Sequence, residues 1–303
     1  MGRENRPRRI SCVEADTYRG KPMDATLRTT LLAGLRDGSI IPYLGPGVLA
    51  DVTDAKTGTP MPATSEQLIL AMNGGKSMAP KLMVEFSRAA MNVELKRGRN
   101  AVTRFLNATY GETSWTRAAL HDWLQNIRPP YVIDINRDTQ LLDSYAHVPH
   151  TLILGCARLG GSDYRFRLYT SNGEGYVAAI PEAVNTELPI LFKPLGCPRP
   201  HPSYIASDAD FVDYITELMG GFAVPAFIKT LRQGKRYLLL GMRFHRDTER
   251  MVLSDLMFGA ATPAGWALIS DPTDKERRFL ERLNIEIVES AWTSLLERAP
   301  EWV

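Results

Sequence analysis

The last third of the chain confines the fold more than any other stretch. "RYLLLG", "GWALIS" and "IEIVES" are short apolar runs, separated by "DTERMVLSDLM" and "DKERRFLERLN", whose apolar residues recur at helical spacing. The runs do not alternate apolar with polar residues, so each strand has to be covered on both faces. Strands of that kind joined by helices of about ten residues build a parallel sheet between two helical layers, the doubly wound, Rossmann-like α/β fold.

The same alternation extends upstream. Leu27, Leu31, Leu32 and Leu35 form one helical stripe that stops at Asp37-Gly38, and a strand follows over 40–44. Further strands are expected at 131–135, 150–156 and 187–193, with helices at 208–218 and 225–233 and a closing helix in "AWTSLLERA". "YRFRLYTSNGEGYVAAIP" reads as a hairpin turning at Asn172-Gly173, outside the parallel pattern. Thr64 and Gln67 form a capping-box pair, and helical periodicity persists to Ile127. The expected organisation is a basic tail over 1–23 and one Rossmann-like domain over 24–303, interrupted by an all-helical insert at about 64–128.

Composition limits the partners. With 303 residues, 44% of them hydrophobic, the chain can bury a substantial core. A formal charge of +2 gives no pull toward nucleic acid, and Lys96, Arg97, Arg99 and Arg104 have no interleaved aromatics for base stacking, so they read as a solvated face. Cys12, Cys156 and Cys197 fit neither a disulfide framework nor Cys-x-x-Cys zinc pairs, which points to a reduced, cytoplasmic protein with no metal. No run approaches the roughly 20 apolar residues of a membrane span, and "MGRENRPRRISC" leads into no signal-peptide core. "NGGKS" lacks the first glycine of a P-loop, since Leu70 stands there.

In a doubly wound sheet, ligands sit outside the carboxyl ends of the strands. Those ends carry Gly45-Pro46-Gly47, Asn136-Arg137-Asp138, Pro194-Leu195-Gly196 and, after "YLLLG", Met242-Arg243-Phe244. Glycines at 45 and 47 let a backbone come close to a ligand and offer it N–H groups, as a diphosphate requires; a tight structural turn is the competing reading. Asn136 and Asp138 suit the hydroxyls of a ribose, or alternatively cap the helix that carries Leu141, Leu142 and Tyr145.

"YLGPGVL", the helical insert, "IDINRDTQLLDSY", "ILFKPLGCPRPHPSY" and "YLLLGMRFHRDTERM" together resemble, in order, the landmarks of SIR2-like NAD-binding domains over roughly 25–295. The resemblance implies NAD+ or ADP-ribose as the ligand. Gly45, Pro46, Gly47 and Val48 would form the phosphate loop, Asn136 and Asp138 the ribose and water site, and Gly241 and Met242 a further part of the nucleotide site. Lys193 and Gly196 frame the family's Lys-Leu-His-Gly slot, but Leu195 occupies the histidine position. An isobutyl group accepts no proton, and losing a general base costs about two to four orders of magnitude in rate. His201 and His245 are the substitutes to consider; His121, His147 and His150 have weaker claims.

The absence of paired cysteines argues against zinc-dependent deacylation. The first expectation is therefore a nucleotide-binding sensor or scaffold with impaired catalysis. An NAD+ glycohydrolase is the alternative, of the kind the resemblance links to defence, and an interaction protein with a vestigial pocket is a third. A protein partner and a homo-oligomer are left open.

Overall fold

The computed structural model describes residues 23–159 and 164–296, so all of the expected basic tail except Met23 lies outside the described residues. The strands, in chain order, are β1 (Ile40–Leu44), β2 (Tyr131–Asp134), β3 (His150–Gly155), β4 (Phe166–Ser171), β5 (Tyr176–Ala179), β6 (Ile190–Lys193), β7 (Gly196–Cys197), β8 (Ser203–Tyr204), β9 (Arg236–Leu240), β10 (Gly265–Leu268) and β11 (Ile285–Val288). Nine of them form one sheet in the order β11-β10-β9-β1-β2-β6-β3-β4-β5, while β7 and β8 pair separately. Neighbours from β11 across to β3 run parallel, and β4 and β5 add an antiparallel edge.

Parity along the strands explains the continuous apolar runs. Leu44, Val132, Leu152, Leu191, Leu238 and Leu268 pack into the core of one face. Tyr43, Ile133, Ile153, Phe192, Leu239 and Ala267 belong to the core of the other. Because both faces are buried, both parities must be apolar.

The first core is covered by α1 (Ala25–Asp37), α2 (Ser65–Met72), α3 (Phe86–Arg97), α4 (Arg99–Asn107) and α5 (Ala119–Ile127). The second is covered chiefly by α7 (Asp208–Met219), α8 (Ala226–Leu231), α9 (Asp247–Leu256) and α10 (Asp274–Arg282); the short α6 (Gln140–Ser144) follows β2. The insert helices contribute to the same core as the strands. The Thr64/Gln67 capping box forms at the start of α2, with Thr64 N donating to Gln67 Oε1 at 3.0 Å. Gly98, at φ 79°, divides α3 from α4.

The hairpin forms outside the parallel pattern, as expected: Asn172 Oδ1 accepts from Glu174 N at 2.9 Å to make the turn, and β4 pairs antiparallel with β3 at the edge of the main sheet. One expectation changes. The closing helix is, among the described residues, only a single 3-10 turn over Trp292–Leu295.

The connection leaving β1 goes to β2 on one side, while β9, β10 and β11 are laid down in order on the other. Adjacent strands whose connections depart in opposite directions open a crevice at their carboxyl ends, here between β1 and β9. Among the described residues, no helix is long and apolar enough to cross a membrane.

Candidate functional site

At that crevice the Gly-Pro-Gly turn meets the glycine that ends β9. Gly45 N donates to Leu240 O and Gly47 N to Gly241 O, both at 2.8 Å, and Val48 N donates to Gly45 O at 3.2 Å. The two turns touch backbone to backbone. A Cβ on Gly47 would stand 2.9 Å from Gly241 O, and one on Gly45 would stand 2.2 Å from Met242 Sδ. Gly241 has φ +64°, and a Cβ there would lie 2.4 Å from Val48 N.

This corrects the reading of the loop. The amides of Gly45, Gly47 and Val48, expected to hold a diphosphate, are committed to carbonyl oxygens, and Pro46 has no amide hydrogen. The glycines are required because two turns at the switch point pack too closely for side chains.

Two cavities flank the turn. The larger, about 200 Å³, is walled by apolar side chains that include Leu49, Met61, Met242, Leu268 and Trp292, with Arg243 and Ser270 at its polar side. Trp292 is fixed there by its Nε1 donating to Gly47 O at 3.1 Å. The smaller, about 60 Å³, has Phe86, Leu195 and Phe211 as apolar wall and Asn136, Arg137, Glu85 and Glu249 as polar groups. Pro46 and Ala63 line both, so the cavities meet at the turn.

Of the residues expected from sequence, Pro46, Gly47, Gly241 and Met242 line the larger cavity and Pro46 and Asn136 the smaller. Asn136 is only 5% exposed. Its Nδ2 donates to Gly45 O at 3.0 Å and to Asp134 Oδ1 at 2.9 Å, which ties β2 to the glycine turn. Two acceptors on one side of the carboxamide fix which atom is nitrogen, leaving the carbonyl oxygen on the other side.

Asp138 does not join them. It is fully buried, lines neither cavity, and its Oδ1 accepts from Gln140 N at 2.7 Å, where it organises the entry to α6. Burial raises its carboxyl above the ordinary range; the Lys193 ammonium opposes that shift and the neighbouring Asp134 carboxylate adds to it. Neither alternative is realised as a cap: Thr139 stands at the N-cap of α6, no side chain caps that helix, and Asp138 closes the turn before it.

The histidine substitutes fail on position. His201 is exposed, and His245, its side chain 47% exposed, stands 3.9 Å from Glu276 at the start of α10. Neither lines either cavity. Leu195, 7% exposed, does face the smaller cavity, with its carbonyl accepting from Ile205 N at 3.1 Å.

Beneath this edge lies a charged cluster that sequence reading did not assemble. Asp134 and Lys193 are wholly buried, and Lys193 Nζ donates to Asp134 Oδ2 at 2.7 Å. His121, also wholly buried, comes within 3.5 Å of the same oxygen. Burial alone would raise Asp134, but the Lys193 ammonium, with His121 beside it, reverses this and holds it well below the usual carboxylate range. Burial likewise works against the Lys193 charge, and Asp134 and Asp138 outweigh it. Among the described residues, no group of three His, Cys, Asp or Glu is arranged to hold a metal ion.

No family model matches the chain, and no curated protein matches it either. What the site can do has to be read from its side chains.

Three of these were not foreseen: Arg137, Glu85 and Glu249. Arg137 donates from Nε and Nη2 to Ile205 O at 2.9 and 2.6 Å and lies over the Phe86 ring, 5.5 Å from its centroid. Burial lowers its guanidinium below the ordinary value, with Tyr110 and Asp210 pulling the other way. Glu249, in the first turn of α9, is pushed up to about 7 by burial and by the charge of Glu85. Arg137 sits between two residues that were noticed, so its position was a usable signal. The two glutamates look in sequence like ordinary first-turn acids.

Proposed function

We propose that the chain binds a dinucleotide of the NAD+ or ADP-ribose type across the carboxyl ends of β1, β9 and β2. The observation that carries this reading is the pair of cavities meeting at Pro46, one chiefly apolar and one with both apolar and charged walls. An adenine nucleoside has a flat apolar face that suits the Leu49, Leu268 and Trp292 wall, while a second ribose requires donors and acceptors of the kind Asn136 offers. With the turn amides committed, the diphosphate charge would be met by side chains: Arg243 lines the larger cavity and Arg137 the smaller. The smaller cavity holds about two waters at the roughly 30 Å³ each takes in the liquid, so sugar entry requires its wall to yield.

Calorimetric titration with ADP-ribose, NAD+ and AMP tests the assignment. All three are expected to bind, with ADP-ribose tighter than AMP. Ser270→Trp, which fills the larger cavity, is expected to weaken each by at least about tenfold, or about 1.4 kcal/mol. No heat with any of the three at millimolar concentration removes the reading.

A further inference from the structure

The smaller cavity lacks an imidazole, yet it is not without a proton acceptor. Glu85 precedes α3 at the capping position but makes no capping hydrogen bond. Its Oε1 instead accepts from Thr248 Oγ1, which sets it beside the first turn of α9, where Glu249 is the third residue. Both residues line the cavity.

A second observation is independent of the acidic pair. The carbonyl oxygen of Asn136, a residue only 5% exposed that lines the same cavity, accepts no hydrogen bond among the described residues. An acceptor that has no protein donor takes its hydrogen bond from water or from a ligand that displaces the water. The hydroxyls of a sugar are donors of that kind.

We propose that Glu249 is the general base of this cavity: it takes the proton from a water that adds to the anomeric carbon of the bound ribose while the glycosidic C–N bond breaks. The inference rests on the dinucleotide reading, with NAD+ as the substrate. The C–N electron pair leaves with the pyridinium nitrogen, which becomes neutral nicotinamide. The water oxygen forms the new C–O bond, and its proton passes to Glu249 and on to solvent. Water is the one co-reactant, and no redox change occurs.

Asn136 holds the ribose through its free carbonyl oxygen. Glu85 acts on Glu249 through its charge, as a positioning residue that keeps the base near neutrality. The Arg246 amide and the Arg246 and Arg250 charges favour the Glu249 anion, but burial and the Glu85 charge outweigh them and shift the carboxyl upward. A base titrating close to the operating pH is the condition under which general-base catalysis is most effective.

The test combines nicotinamide release from NAD+ across pH 5 to 9 with ADP-ribose calorimetry on the full-length protein, E249Q and E85Q, each checked for folding by circular dichroism. Wild type is expected to release nicotinamide with a rate that rises with pH about a midpoint near 7. E249Q should lower the plateau by about 10²- to 10⁴-fold, while ADP-ribose affinity stays within about threefold. E85Q should move the midpoint to lower pH, a shift that loss of packing would not produce; this arm decides the matter if E249Q does not fold. ADP-ribose binding without nicotinamide release by wild type, or with release unchanged in E249Q, overturns the role of Glu249 and leaves the binding reading intact. No ADP-ribose binding by any folded form overturns both.

Discussion

At the scale of single residues, the Asp134–Lys193 pair shows how the molecule supports its candidate site. Asp134 receives the Lys193 ammonium, the backbone amide of Asn136 at 3.0 Å and the Asn136 carboxamide. The pair thereby holds the side chain whose other face borders the smaller cavity. Removing one member of a buried ion pair strands the other charge, at a cost of about 3–5 kcal/mol. Lys193→Met is expected to lose about that much in urea unfolding at pH 7, and Lys193→Met with Asp134→Leu less than the single change.

The pH dependence has a fixed sign. Asp134 is depressed on folding, so its contribution is present above the ordinary carboxylate range and is lost as pH falls through the folded value. Lys193→Met removes the ammonium that outweighs burial, so the variant should lose less stability than wild type on acidification. Unfolding midpoints followed from pH 7 down to 3 check this. Sequence alone placed Lys193 near a ligand slot, but it could not show that β2 and β6 bring Asp134 and Lys193 together beneath the site. That pairing depends on strand order, which no local pattern encodes.

At the scale of elements, the junction of the β1 turn with the end of β9 is the most exacting contact at this edge. Gly241 combines a left-handed φ with a neighbouring amide where a Cβ would sit, whereas Gly47 meets only the nearby Gly241 backbone and has no positive φ. Gly241→Ala is therefore expected to destabilise by about 1–3 kcal/mol from backbone strain, with further loss from the clash, and more than Gly47→Ala. Thermal melts of the two variants test the ranking.

Most elements were legible: the β1, β2, β9, β10 and β11 runs, the α2 capping box and the β4–β5 turn all follow from periodicity and turn chemistry. What the glycines are for was not. A glycine amide facing a ligand and one facing a neighbouring carbonyl look identical in sequence, and the decision here is made by Leu240 and Gly241, nearly two hundred residues downstream. The histidines failed for a similar reason: His245 follows a strand end, yet the chain turns it toward Glu276 at the start of α10.

At the scale of the whole molecule, continuous apolar strands implied a parallel sheet buried on both sides, and the structure has one. The hairpin's place was hidden because its β4 strand joins β3 edge to edge, a pairing between segments whose own patterns are silent about partners. That hairpin leaves β5 at the rim of the sheet, with Val177 70% exposed. An open strand edge invites pairing with another chain, and a lysine there discourages it. Val177→Lys should leave unfolding stability within about 0.5 kcal/mol of wild type, as surface substitutions usually do. Light scattering should show no larger species than wild type forms.

Pro46 belongs to the walls of both cavities, and its rigid ring cannot yield toward one without shifting at the other. Were a group in the first chamber to displace that ring, it would alter the grip of the second, and thermodynamic reciprocity would make the effect equal in the opposite direction. A fragment resembling half of the ligand would thus report on the vacancy left for the other half, making a single imino acid the hinge of communication between two guests.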